Sequence, residues 1–514
     1  MSAARRWLLP PFTVVLFLLH LVVVWKMRAD TILEDPGTGW HLVTGRYILE
    51  TWSIPTHDMF SYTAAGKEWI TDYWLFEVLS AALQRLGGLP LYAAVCTLIY
   101  GAIPVVLLRR MLRMGTGLLP AVVLTLMAYL VLTSHALARP HIVTYLLFGI
   151  LLEHLDRVQR GELPLRSLWW IPPVTVVWCN MHGGFIAGLT VVGIFTAVAT
   201  VRWVLFRDAG ERRRAMIFGV LLGAMALATL CNPVGIRLHL SILDQINPQS
   251  AGYFVEWQSP NFLSGGVAMQ TFERLVLLLV ALLVCRRRTV SWIDCALLLF
   301  FLDQALHSVR HMNLFAIAAA PIIAREVSAI LDDLLPRAQA RIARLAAQQK
   351  LLRSHLLYFP AIAVAFAGLA VAGATPFPMT LDDLRLTKPA AEFIGAHMDR
   401  FERVFNTDDL GGPLIYKFWP DLKVFIDDRF FVYGNEFVVH RYIPLLYAQP
   451  GWDAVLREYG VTAAVVTAKT ACDTLLRASS EWSLAYGDEK TSVFFRNSPS
   501  VGFTSGANAL EAVR

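Results

Sequence analysis

Apolar stretches long enough to cross a bilayer, about 20 residues each, recur from the N-terminus to the region of residue 374, with short polar connections between them. The segments read as spans are 8–27, 89–108, 118–135, 141–157, 167–180, 183–206, 213–231, 271–285, 291–308, 310–325 and 356–374, about 11 transmembrane helices. The connection over 28–88 is unusually long. Within it WHLVTGRYILETW and DYWLFEVLSAALQRL read as interfacial helices, with Trp and Tyr at the depth those rings favour. Between them SIPTHDMFSYTAAGKEW, with Pro55 and Gly66, reads as loop or short strand. Residues 326–355 suit a cytoplasmic amphipathic segment. After ATPFPMTLDD the pattern changes, and 376–514 reads as an α/β domain in which ERVFN, KVFID, TAAVVT and SVFFR are strand-like. The fold class is therefore a mostly α polytopic membrane region over 1–375 followed by a C-terminal α/β domain.

Composition agrees. Hydrophobic residues make up 56% of the 514 and charged ones 16%, against roughly 25% charged in a soluble domain, and the mean hydropathy is +0.52. The net charge of +6 comes largely from arginines in alternate connections: Arg5 and Arg6, RRMLR at 109–113, Arg157 to Arg166, Arg202 to Arg214, RRR at 286–288 and Arg337 to Arg353. The positive-inside rule makes those connections cytoplasmic. The segment 73–86 counts as interfacial because a span there would put RRMLR outside. The N-terminus is then inside and the C-terminal domain extracytoplasmic. The basic balance reports topology and contact with membrane lipids, and nucleic-acid binding is not expected. The run Trp7–Trp25 is long enough to stay as the first span rather than be cleaved. No CxxC or other metal spacing appears among the six cysteines, so neither a disulfide framework nor a metal site is indicated.

The other connections collect the chemistry: LEDPGTGWH at 33–41, ARPH at 138–141, NMHGG at 180–184, VEWQSPN at 255–261 and HSVRH at 307–311. Asp35 stands first. A carboxylate at the membrane surface in a glycine-rich turn suits a general base for an acceptor hydroxyl. Its structural alternative, capping the next helix, is weaker, since Thr38 is better placed as the cap. His41, Arg46, His57 and Lys67 share that loop and suit an anionic headgroup or phosphate; a His57–Asp58 pair is the alternative for His57. Arg139, His141, His182, Glu256, Arg310 and His311 begin or end spans on the same side. Ionisable groups at that depth are functional or paired, and a structural Arg310–Glu256 pair is the competing reading.

The run EDPGTGWHLVTGRYILE…IPTHDMFSYTAAGKEWITDYWLFEVL resembles a bacterial branch of the polytopic GT-C glycosyltransferases, related to the sugar transferases of lipopolysaccharide assembly and to protein O-mannosyltransferases. The similarity continues through ARPH, NMHGGF, EWQSP and RHMNLF into VFNTDDLGGPLIY and VFIDDRFFVYG. It implies a hexosyl- or pentosyltransferase of the bacterial inner membrane. The expected donor is a polyprenyl-phosphate-linked sugar, passed with inversion to an extracytoplasmic glycan, lipid or protein. The family's acidic residue in the first outer loop maps onto Asp35. No cofactor is expected; a divalent metal is left open, because the second acidic motif of the metal-dependent branch is missing. The tail's DLGG and FIDDR segments are expected in exposed loops. Two rivals remain at this stage: an oligosaccharide polymerase or ligase, and a transporter, flippase or scaffold for lipid-linked glycans. The lack of an internal repeat and the one-sided clustering argue against transport.

Overall fold

The apolar stretches fold as helices where the hydropathy places them. A computed structural model describes residues 7–497 except 8, 246–252, 254, 264, 286–289, 336–353 and 383–384. The N-terminal helices are α1 (Phe12–Met27), α2 (Thr38–Thr51), α3 (Trp74–Arg113), α4 (Leu118–Leu132), α5 (His141–Gln159), α6 (Ile171–Met181) and α7 (Phe185–Phe206). They are followed by α8 (Ala209–Ala228), α9 (Arg237–Gln245), α10 (Gly266–Cys285), α11 (Trp292–His307), α12 (Met312–Leu334) and α13 (His355–Val371). Among the described residues, five stretches are long and apolar enough to cross a membrane: Trp74–Arg113, Leu118–His135, Phe185–Phe206, Gly266–Val284 and Val309–Leu334. α1 and α13 are shorter apolar helices. α6 has only 11 residues, well short of the roughly 20 a bilayer needs. The RRR cluster and most of the expected amphipathic segment 326–355 lie outside the described residues.

The helix α3 carries 40 residues but is broken at Gly87 and Gly88, whose backbone is non-helical. Gly88 has φ +73°, a region open mainly to glycine. The segment 74–86 is thus a helix distinct from the apolar one at 89–113.

Two polar ends result. At one, Arg110 pairs with Asp156 at 2.5 Å, Arg113 with Glu153, and Arg325 with Asp294 at 2.8 Å. Because α3 and α5 pair there through their C-terminal turns, the N-terminal end of α5 lies at the opposite end. That end holds Asp35, Arg139, His182, Glu256 and Arg310.

Beyond α13 come α14 (Lys388–Ala396), β1 (Val404–Asn406), α15 (Asp408–Phe418), short helical turns over 430–446, α16 (Trp452–Glu458), β2 (Ala463–Thr467), α17 (Ala471–Ala478), β3 (Trp482–Gly487) and β4 (Thr491–Arg496). The sheet order is β1-β2-β4-β3. β1 runs parallel to β2, with Val404 opposite Ala463, and β4 is antiparallel to both β2 and β3. ERVFN, TAAVVT and SVFFR supply β1, β2 and β4. KVFID departs from its strand-like pattern: it stays out of the sheet, and Val424 instead exchanges backbone hydrogen bonds with Phe60 and Tyr62 of the first loop.

That pairing is one part of a shared core. Trp40, Val43, Phe60, Ala64 and Trp69 of the first loop pack in one apolar cluster with Leu410, Val424, Phe425 and Ile426 of the tail. The backbones close to contact: a Cβ on Gly412 would sit 1.8 Å from the Pro36 carbonyl oxygen. At the centre is Arg429, fully buried. Its guanidinium pairs with Asp427 at 2.6 Å and with Asp58 at 2.7 Å and lies against the rings of Trp69 and Phe60. This overturns two expectations. The DLGG and FIDDR segments are buried rather than exposed, because the loop covers them, and Asp58 pairs with Arg429 rather than His57.

Removing one member of a buried ion network strands its partners, at about 3–5 kcal/mol. Arg429→Leu is therefore expected to destabilise the loop–tail unit by that order. Thermal unfolding in detergent, with limited proteolysis of the tail, measures it.

Candidate active site

The site is built from turns at one end of the helical bundle. Asp35 lies in the turn between α1 and α2. Its Oδ1 accepts from the Gly37 N–H at 2.8 Å, which fixes the carboxylate to its own loop. Thr38 makes no cap; Gly37 occupies that position. Arg139 stands just before Pro140 and α5. Its Nη1 is 3.3 Å from Asp35 Oδ2 and 3.0 Å from Glu256 Oε1, and its Nη2 is 3.7 Å from Asp428 Oδ2. One guanidinium thus faces three carboxylates from three distant parts of the chain. Asp428 also accepts a 2.6 Å hydrogen bond from the Trp40 indole N–H.

Around them is a small cavity of about 60 Å³, whose wall includes His41, Arg139, His141, His182, Glu256 and Arg310. The sequence singled out all six. Asp35 sits behind Arg139, outside that lining. The wall also holds Tyr73, His135, Tyr145, Asp428, Arg429 and Phe431, none of which stood out as a site residue. FIDDR contained the signal, since two acids and an arginine in an otherwise apolar segment are costly unless paired. The Arg429 Nη1 has no hydrogen-bond partner.

Four expected residues lie elsewhere. Arg46 is exposed on the outer face of α2, over the Tyr416 ring at 5.1 Å. His57 is exposed and bonded to Thr56. Lys67 reaches the tail, donating to the Tyr433 carbonyl at 2.9 Å. His311 is beside the wall but not in it, its ring against Trp257. Glu256 pairs with Arg139 in place of Arg310, whose guanidinium lies over the Trp257 ring at 5.1 Å. Arg310 has no ion pair among the described residues.

Burial and charge set the protonation states. Burial pushes the Asp35 carboxyl up, Arg139 pulls it down and Glu256 pushes it up again; the net direction is upward. Burial and the charge of Asp35 raise Asp428 to about 7. Burial also acts on Glu256, but Arg139, His135 and Arg310 outweigh it and lower that group to about 2. Burial holds His41 and His182 well below the ordinary histidine range, with nearby arginines adding to the effect. His182 Nδ1 accepts from the Gly184 N–H at 2.9 Å, so the neutral ring carries its proton on Nε2. The cavity therefore offers guanidinium and imidazole N–H donors on one hand and, on the other, the Asp428 carboxyl with Asp35 behind it. Among the described residues, no group of three or more His, Cys, Asp or Glu side chains is arranged to hold a metal ion.

A second cavity of about 250 Å³ is bordered by Trp69, Thr71, Asp72, Trp74, Asn180 and Asn232. Asp72 faces this cavity and Tyr73 the other. Asp72 is 4% exposed, its Oδ1 has no partner, and burial raises its carboxyl to about 7.

No family sequence model matches the chain, and no curated protein matches it by sequence. Solved structures do. The apo oligosaccharyltransferase of Archaeoglobus fulgidus aligns over 91% of this chain and 70% of its own, with a TM-score of 0.53 at 13% identity. The same enzyme, AglB, with an inhibitory peptide and a dolichol-phosphate aligns over 89% and 69%, with a TM-score of 0.53 at 12% identity. This chain has the GT-C fold. ArnT from Cupriavidus metallidurans aligns over 96% of this chain and 98% of its own, with a TM-score of 0.49 at 16% identity. With this fold and, among the described residues, five helices long and apolar enough to cross a bilayer, the chain is a membrane protein.

The buried Asp72 gives a test by pH. Its folded-state proton affinity is raised above the unfolded value of 3.8, so stability is fullest below that value and is lost as pH rises through about 7. Asp72→Asn removes this loss. Its melting temperature in detergent should exceed wild type at pH 8 and match it at pH 4; an equal gain at both would contradict the assigned state.

Proposed function

We propose that this protein is a glycosyltransferase of the bacterial inner membrane that moves a hexosyl or pentosyl group from a polyprenyl-phosphate donor to an extracytoplasmic hydroxyl acceptor. The observation that carries this reading is the meeting, at one end of an apolar bundle, of guanidinium and imidazole donors with a buried carboxylate cluster. A lipid-linked donor can lie with its tail among the apolar helices and its phosphate at that end. As the bond from the anomeric carbon to the phosphate breaks, negative charge develops on the leaving oxygen. Arg310, without an ion pair among the described residues, and the N–H of His182 are placed to meet it, where low dielectric makes such contacts strong. A carboxylate of the Asp35 cluster takes the acceptor proton. The larger cavity, with Trp69 and Trp74 in its wall, has room for a sugar ring. The fold supports this class, since the oligosaccharyltransferase that shares it is held in one structure with a dolichol-phosphate.

The test compares a deletion strain, the strain restored with wild type, and the strain restored with Asp35→Asn at equal expression. Surface glycans and lipid-linked sugars are profiled by mass spectrometry. The expected result is a glycan lost on deletion, regained with wild type and absent with Asp35→Asn. Unchanged glycans and lipid-linked sugars on deletion would end the glycosyltransferase reading.

The proposed topology is tested separately in a cysteine-free background. His307→Cys, at the site end and 75% exposed, should react with an impermeant maleimide on intact spheroplasts. Asp332→Cys, at the arginine-rich end, should react only after permeabilisation. The reverse pattern would invert the arrangement.

A further inference from the structure

Two carboxylates, not one, converge at the first-loop turn. An ideal Cβ built on Gly37 would lie 2.9 Å from Asp35 Oδ1 and 2.9 Å from Asp428 Oδ2. The two groups therefore point at the same space above a glycine that leaves it clear. They differ in what else they do. Asp35 is the deeper, with its side chain 2% exposed against 13% for Asp428. Its Oδ1 is taken by the Gly37 N–H and its Oδ2 by Arg139. Asp428 is held on one oxygen by Trp40, while its other oxygen is only loosely engaged by Arg139 at 3.7 Å. Asp428 lines the cavity and Asp35 does not.

We propose that Asp428, from the C-terminal domain, is the carboxylate that meets the acceptor hydroxyl, and that Asp35 stands behind it as a positioning residue sharing a single proton with it. This rests on the glycosyl-transfer reading above and names which carboxylate of that site does the work. In the step, the acceptor O–H proton passes to Asp428. The acceptor oxygen bonds to the anomeric carbon, and the bond from that carbon to the phosphate oxygen breaks, its electron pair leaving with the phosphate.

The surroundings fit. Asp428 is faced by Asp35 and Arg139 from the membrane region and by Asp427 and Arg429 from its own loop, with Glu256 beyond Arg139. Asp427 and Asp58 share Arg429, Glu256 shares Arg139, and Arg385, bonded to the Glu34 carbonyl, adds a weaker attraction on Asp35. Asp35 and Asp428 meet across Arg139, which Glu256 also draws on, and two close carboxylates sharing an already engaged cation retain a proton between them. The raised proton affinity of Asp428, about 7, is suited to a base working near neutrality. Its backbone is anchored by the adjacent, fully buried Arg429, so the carboxylate is held in place before any ligand arrives.

The first test needs no substrate. The purified full-length protein in detergent is treated with dicyclohexylcarbodiimide, which modifies protonated carboxyls in apolar surroundings, across pH 5 to 9, and peptides are read by mass spectrometry. Asp428 should be modified with a midpoint near 7 and Asp35 spared. In Asp35→Asn the Asp428 midpoint should fall by about one pH unit, because a neighbouring negative charge is gone and Arg139 is freed. Failure to modify Asp428 at any pH, or a midpoint unmoved by Asp35→Asn, would overturn the pairing.

The second test uses the restored strains. Asp428→Asn should lower glycan formation by at least about 100-fold, the usual scale for loss of a general base. It should keep a wild-type melting temperature, with Asp428→Glu recovering part of the activity. Full restoration by a stably folded Asp428→Asn would refute the catalytic role while leaving glycosyl transfer standing. A deletion without glycan phenotype would instead remove the transfer reading itself, whatever the labelling shows.

Discussion

The arrangement at the site depends on one guanidinium. Asp35, Glu256 and Asp428 come from the first connection, the turn at 255–257 and the C-terminal segment, and each is drawn to Arg139. Without a cation between them, three carboxylates gathered in a poorly solvated space would repel one another and lose hydration with nothing to offset it. Arg139 is fixed at the head of α5 by Pro140, whose ring restricts the backbone at the turn. The guanidinium is planar with several donors, which lets one side chain serve three acceptors; a lysine ammonium at the same place would not span them in the same geometry.

The second constraint is the fusion of the first loop with the tail. The four-stranded sheet belongs to the tail, but the apolar cluster beneath it takes in Trp40, Phe60 and Trp69 from residues more than three hundred positions earlier. KVFID adds its edge to the loop rather than to the sheet, and the contact of Gly412 with the Pro36 carbonyl leaves no room for a side chain. A tail attached by a flexible linker could supply specificity but no fixed catalytic group. This tail is locked by a buried ion network, so the position of Asp428 relative to Asp35 is set by packing.

Much of this was legible in the sequence. Apolar length and alternating arginine clusters locate the helices, and the gathering of His41, Arg139, His141, His182, Glu256 and Arg310 at one end follows from which connections they occupy. The arginine pattern argued against a span over 73–86, and the helix breaks at Gly87 and Gly88. What stayed hidden depends on contacts between distant segments. Nothing local to FIDDR says that a loop nearly four hundred residues earlier will bury it, so its acids read as surface. For the same reason Lys67 resembled a ligand for an anion when its partner is a backbone carbonyl of the tail. Arg46 shares a helix with His41 but stands five positions on, close to half a turn out of phase, which carries it to the opposite face. The Arg310–Glu256 pairing failed because Arg139 competes for the same carboxylate.

The charge balance bears on how such a site can take a phosphate at all. Arg139 is already engaged by carboxylates and Arg429 by Asp427 and Asp58, so neither brings a full free charge to an incoming anion. With His41 and His182 neutral, Arg310 is the cation left without an ion pair among the described residues. Its guanidinium lies over the Trp257 ring and lines the cavity. In the glycosyl-transfer reading this separates the cavity into two walls: one around Arg310 and His182 that stabilises the departing phosphate, and one at Asp428, backed by Asp35, that removes a proton. An inverting displacement requires the nucleophile and the leaving group on opposite faces of the anomeric carbon. A site in which every arginine was equally free would hold the donor phosphate near the base as readily as away from it. In that reading, engaging Arg139 in the carboxylate cluster does more than neutralise it, because it leaves a donor phosphate a single preferred side.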